Sequence, residues 1–132
     1  MYAKFFPAAL LYINGLLYCG VAYLFLTDMN YWLGQLSISS RSDVGVTELR
    51  SVYLGFMAGF GLFLCWSAWR REWRFPGVVL LALTYAGLVA ARSWGILVEE
   101  NYNDLVLRIY IAEWLALVLS LLAILSLRRP AG

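Results

Sequence analysis

The sequence predicts an all-α integral membrane protein, an antiparallel four-helix bundle forming a single transmembrane domain over residues 1–132. Three observations lead there. Hydrophobic residues make up 63 % of the chain and charged residues only 14 %, where soluble domains run roughly 45–50 % apolar and about 25 % charged. Four apolar stretches are each long enough to cross a hydrocarbon core of roughly 30 Å, which takes about 20 helical residues. Only short connections separate them, and short connections make consecutive spans antiparallel neighbours. Backbone polar groups in lipid must be paired within the segment, so the spans are helices. The aromatic content of 17 % fits, since Trp and Tyr favour both membrane–water interfaces.

The first helix is expected over about 5–26. Its leading "MYAK" carries a single positive charge. Its apolar core exceeds the usual length of about 7–15 residues, and no small-x-small cleavage pattern precedes Thr27, so it reads as a retained span and not a leader. Neither end carries a lipidation signature. The 27–47 connection opens with "TDMNYWLGQL", where Tyr31, Trp32, Leu33 and Leu36 alternate with polar residues as in a segment lying in the outer interface. It continues with the turn-forming "SISSRSDVG". The second helix is expected over 48–69, with Thr47 as N-cap and Glu48 near the positive end of the helix dipole. The "RREWR" loop precedes a third helix over 76–98, and "EENYND" precedes a fourth over 108–127. Gly55 and Gly59 form a GxxxG with Gly61 nearby, and Ala82, Ala86 and Ala90 make a small stripe. Both are expected where helices approach closely.

Orientation follows from the basic residues. Lys4, Arg70, Arg71, Arg74, Arg128 and Arg129 fall on one side; the other carries Arg41 with Asp28, Asp43, Glu99, Glu100 and Asp104. The positive-inside rule places both termini and the "RREWR" loop in the cytoplasm. These arginines are topology signals, and no nucleic-acid partner is expected. The chain holds no histidine, which excludes His-ligated haem, ordinary zinc or copper sites and His-based relays; no cofactor and no metal are expected. Cys19 and Cys65, counted at roughly 21 Å and roughly 6 Å from the inner helix ends, read as packing residues too far apart for a disulfide.

Three ionisable residues share one level in the outer half of the membrane. Counting from the expected helix ends, Arg50 lies about 5 Å in, Arg92 roughly 9 Å and Glu113 roughly 8 Å. Intramembrane charges usually face the interior and pair, and Glu113 is the obvious partner for both arginines. The excess positive charge is matched by Glu48 or by an anion such as a lipid phosphate or carboxylate, which suits the planar guanidinium. Tyr53 and Met57 follow Arg50 on the same side, Tyr85 lies below Arg92, and Tyr110 flanks Glu113. Asn14 is the strongly polar residue of the first helix. This reads as a mainly apolar interior with an arginine-rich upper end, able to receive an amphipathic or anionic molecule. The plainer alternative is a network that only fixes helix register.

"LRSVYLG" at 49–55, "ARSWG" at 91–95 and the lone Glu113 resemble, in order and spacing, the pattern of domain-of-unknown-function family 4345. These are small bacterial membrane proteins expected to have four helices. Arg50, Tyr53 and Gly55 match the family's Leu-Arg-Ala-x-Tyr-Gly-Gly, while Ser51 and Leu54 depart from it. "EENYND" replaces the Asp-Gly often found after the third helix. The resemblance implies the fold and the residues Arg50, Arg92 and Glu113, and names no reaction.

Function divides three ways. The first is a non-enzymatic accessory or scaffold subunit of a membrane complex, with a membrane-protein partner or a homo-oligomer. The second is a binding module or carrier for a lipid, quinone-like or anionic amphiphile. The third is an enzyme, and the sequence leans against it. The chain has no convincing protease nucleophile, and a carboxylate held against arginines stays charged and exchanges protons poorly. Four helices without a repeat also argue against an autonomous transporter.

Overall fold

In the computed structural model, described over residues 2–128 with side chains from residue 5, every regular element is helical. The elements are α1 (Tyr2–Thr27), α2 (Met29–Gln35), α3 (Asp43–Arg50), α4 (Met57–Trp69), α5 (Arg71–Ser93) and α6 (Asp104–Arg128), with π-helical segments at Ser51–Phe56 and Trp94–Val98. The π segments continue the helices before them, so four spans result: Phe5–Thr27, Asp43–Trp69, Arg71–Val98 and Asp104–Arg128. All four are long and apolar enough to cross a membrane. The expected all-helical, four-span architecture therefore holds. Arg129 and the side chain of Lys4, both read as cytoplasmic, lie outside the described residues.

Three boundaries differ from the sequence expectation, each for a local reason. The second span starts at Asp43, not 48, because the Ser42 side chain accepts the Gly45 N–H at 3.3 Å and caps the helix a turn earlier than Thr47 would. The third starts at Arg71, so most of "RREWR" is helix; Arg70 alone breaks the chain, with φ −88° and ψ 116°. Pro76 does not delay this helix. Early in a helix a proline forgoes one hydrogen bond to the carbonyl four residues back and leaves the rest intact. The fourth span starts at Asp104, where Asn103 Oδ1 accepts the Val106 N–H at 2.9 Å.

Asp28 both ends α1 and begins α2. Its extended backbone (φ −154°) breaks the first helix, and its carboxylate accepts the Tyr31 N–H at 3.0 Å. The interfacial stretch expected from the sequence is thus a short capped helix, with Leu33 buried. It closes on Ser37 at φ 59°. There the Ile38 N–H reaches Leu33 O at 2.9 Å and the Ser37 N–H reaches Gly34 O at 3.0 Å, the paired bonds of a Schellman cap.

Contacts divide the chain into two units: Tyr12–Trp66, and the residues on either side of it. Within the first, α1 meets α4 at a reciprocal glycine crossing. A Cβ added at Gly61 would lie 2.6 Å from Cys19 Sγ and 2.8 Å from Gly15 O; one added at Gly15 would lie 2.6 Å from Cys65 Sγ and 2.9 Å from Gly61 O. Each thiol fills the notch left by the opposite glycine. Gly55 and Gly59, expected at a close approach, have nothing within 4 Å of an added Cβ, so the contact belongs to Gly61 and Gly15. Both cysteines are free. The crossing nonetheless sets Cys65 level with Gly15, a register that depths counted from the helix ends do not give. Tyr18 packs edge-on against Phe60 (4.9 Å) just beyond it.

In the second unit α5 packs along α6. The buried residues of α5, among them Val78, Leu81, Ala82, Tyr85 and Val89, recur at the three- and four-residue spacing of one helix face. The buried residues of α6 are Glu113, Ser120 and Ala123, while Leu115, Val118, Leu122 and Leu125 are exposed. Small and polar residues inside with large apolar ones outside is the pattern of a helix in lipid. Ala82 is buried, whereas Ala86 and Ala90 of the same expected stripe are exposed. At the turn between α4 and α5 Arg74 Nε donates to Ala68 O at 2.9 Å, and the Arg128 guanidinium lies 5.7 Å from the centre of the Phe75 ring.

Candidate functional site

Two arginines of the spans, Arg50 and Arg92, stand at the ends of α3 and α5, each where a π segment begins. Arg50 is the last residue of α3, with Ser51 opening the segment after it; Ser93 is the last residue of α5, preceded by Arg92. In these segments the N–H bonds five residues back, as from Met57 to Val52 O and from Glu99 to Trp94 O. Such turns are rare in proteins and recur at functional sites. The wider turn admits an extra residue. It rotates the helix before it by about 100°, one residue's worth of an α-helix, relative to the helix after it.

Between α5 and α6, Arg92 Nε donates to Glu113 Oε2 at 2.8 Å. The Glu113 side chain is 8 % exposed and that of Arg92 30 %. Beside this pair the hydroxyls of Ser93 and Tyr110 share a hydrogen bond of 2.8 Å, and the Tyr110 ring meets Trp114 edge-on at 6.4 Å. Two consecutive residues of α5 thus hold two residues of α6 one turn apart. Arg92, Glu113 and Tyr110 are all expected from the sequence, but Glu113 is expected to pair with both Arg92 and Arg50, and among the described residues only Arg92 reaches it. Ser93 is not, although its place in "ARSWG" beside Arg92 is the available signal. Tyr85 is buried in this unit on the inward face of α5. Trp94 Nε1 donates to Glu99 Oε1 at 3.3 Å just above.

Arg50, Tyr53 and Asn14 belong to the other unit. Asn14 is buried on α1. Tyr53 is half-buried and stacks on Phe25, with ring centres 4.7 Å apart and planes 20° apart. Arg50 is exposed and, among the described residues, makes no hydrogen bond or ion pair. It lines a cleft of about 360 Å³ with Phe25, Leu26, Asp28, Asn30 and Leu54. The lining mixes apolar and polar side chains, and its two charged residues, Arg50 and Asp28, are of opposite sign. No sequence signal points to Asp28 or Asn30 here, because the turn that places them depends on the Asp28 cap.

Chemically, the α5–α6 layer is a satisfied set of donors and acceptors, whereas the Arg50 cleft offers an unspent guanidinium beside a carboxylate and apolar side chains. Among the described residues no three His, Cys, Asp or Glu side chains are grouped to hold a metal ion. No curated protein and no solved structure matches the chain. Residues 8–124 match the family described as Domain of unknown function (DUF4345). That match takes in both Arg-Ser pairs, the cleft and Glu113, and the chain is a member of the DUF4345 family.

Proposed function

We propose that this membrane protein is a non-enzymatic accessory or scaffold subunit of a bacterial inner-membrane complex, with both termini in the cytoplasm. The observation that carries the reading is the setting of α6. Only 17 % of its apolar window is buried within the chain, against 28–39 % for the other spans. Its buried acid, Glu113, is already engaged by Arg92, and its outward face is a continuous run of Leu, Val, Ile and Trp. A helix whose polar groups are satisfied and whose outer face is apolar is suited to pack against another span, not to carry out chemistry. The test is a photo-crosslinking residue at Val118 or Leu122 in native membranes, with mass-spectrometric identification of the product. A single recurrent protein partner, or a second copy of this chain, supports the reading. Lipid adducts alone at every outward position of α6 overturn it.

A second reading is favoured by the cleft: a binding module for an amphiphile whose charged head meets Arg50. An unpaired guanidinium at the outer end of a membrane span is costly unless solvent, a lipid head or a ligand meets it. Native mass spectrometry of the protein in nanodiscs, wild type against Arg50→Leu, tests this. An amphiphile bound equally by both proteins would end the reading.

A further inference from the structure

We infer that the Arg50 cleft takes a zwitterionic phospholipid head bearing a primary amine, with the phosphate on Arg50 and the ammonium on Asp28. This rests on the amphiphile-binding reading of the cleft and names its ligand.

The first ground is charge. Arg50 and Asp28 line the same cleft, yet among the described residues they form no ion pair. Asp28 Oδ1 accepts the Tyr31 N–H, and among the described residues Oδ2 accepts nothing. Opposite charges held apart in one cleft repel a purely anionic head at one end and a purely cationic head at the other. A head carrying both charges satisfies each. The guanidinium fork matches two phosphate oxygens, and an ammonium donates to the open carboxylate oxygen.

The second ground is shape and place. Phe25, Leu26 and Leu54 supply the apolar part of a mixed lining, which suits the first methylenes of an acyl chain beside a polar head. The volume of about 360 Å³ falls near the lower end of small-molecule sites, roughly 300–1,000 Å³; it fits a head and not a whole lipid. The cleft forms where the first span ends and the second begins, the level at which lipid heads lie. Asp28 is held there by its cap on α2, so the carboxylate is placed before any ligand arrives.

Asp28 then sets the choice of head. A trimethylated amine has no N–H to donate, and a glycerol head has no positive charge. The full-length protein is placed in nanodiscs containing equal amounts of phosphatidylethanolamine, phosphatidylcholine and phosphatidylglycerol of identical acyl chains. Bound lipids are then identified by native mass spectrometry. Wild type is expected to retain the ethanolamine lipid over both others by about tenfold or more, since a site built to pair with an N–H rejects analogues lacking it. Asp28→Asn, which keeps an acceptor for the cap, is expected to lose that preference and retain the glycerol lipid comparably. Arg50→Gln is expected to lose all three, while Arg50→Lys keeps part of the retention and so reports a folded protein. Equal or greater retention of the glycerol lipid by wild type overturns the zwitterionic assignment while leaving an anionic-head site. Unchanged lipid retention in Arg50→Gln overturns both. The wild-type competition and Asp28→Asn decide the matter even if Arg50→Gln does not fold.

Discussion

Replacing Arg92 with leucine removes the guanidinium nitrogen that lies 2.8 Å from Glu113 Oε2. The two ends of the pair are unequally placed, with side chains 8 % exposed for Glu113 and 30 % for Arg92. At an effective dielectric of about 20 and a charge separation of about 4 Å, their attraction is about 4 kcal/mol. Desolvation of both ions offsets much of this, so the net value of the pair is small, whereas leaving one ion buried alone costs about 3–5 kcal/mol. Glu113 has a short side chain and nowhere to go, so Arg92→Leu is expected to cost about 3 kcal/mol. Glu113→Leu leaves Arg92, whose long stem carries its head toward the interface, and is expected to cost about 2 kcal/mol. The double variant Arg92→Leu/Glu113→Leu is expected within about 1 kcal/mol of wild type, as apolar replacements of buried pairs often are. Equilibrium unfolding in bicelles gives all three values in one double-mutant cycle. Single losses below about 0.5 kcal/mol, or a double loss equal to the sum of the singles, would refute the claim that this pair is buried and coupled.

Three further outcomes are expected from the packing. Gly61→Ala drives its methyl within 2.8 Å of backbone atoms of α1 and is expected to cost about 2–3 kcal/mol, whereas Gly55→Ala and Gly59→Ala meet open space and are expected to change stability by under about 1 kcal/mol, in the stabilising direction; thermal melts in detergent separate them. Ser67 Oγ is buried and, among the described residues, has no hydrogen-bond partner, so Ser67→Ala is expected to raise stability by about 1 kcal/mol in the same assay. Ser37 holds a left-handed backbone, φ 59°, at the closing cap of α2; Ser37→Gly is expected to gain about 0.5–1 kcal/mol, read as slower amide exchange across α2.

Hydropathy located all four spans because each contains an apolar stretch long enough to cross, and lipid imposes one backbone solution on such a stretch. Ends were less legible. The caps at Ser42 and Asn103 are polar residues among several equally suited neighbours, and only the formed helix selects one. Pro76 looked like a start and proved to be a tolerated interior position. The ion pair of Arg92 with Glu113 was visible because few charges lie in the spans and the expected depths agreed. Ser93, Asp28 and Asn30 were not visible. Serines, aspartates and asparagines at helix ends are ordinary turn chemistry until their neighbours are known.

Composition and periodicity by themselves determined that the chain is helical, has four stretches long and apolar enough to span, and carries most of its charges near the helix ends. Which faces those charges and glycines present was decided only by tertiary structure. Each Arg-Ser pair stands at the start of a π segment, and the added residue breaks the 3.6-residue count that projects Arg50 onto the same face as Tyr53 and Met57. The close helix contact fell to Gly15 and Gly61 and not to the GxxxG beside them. A small residue permits an approach, but the crossing point is set by where the opposite helix offers its own notch.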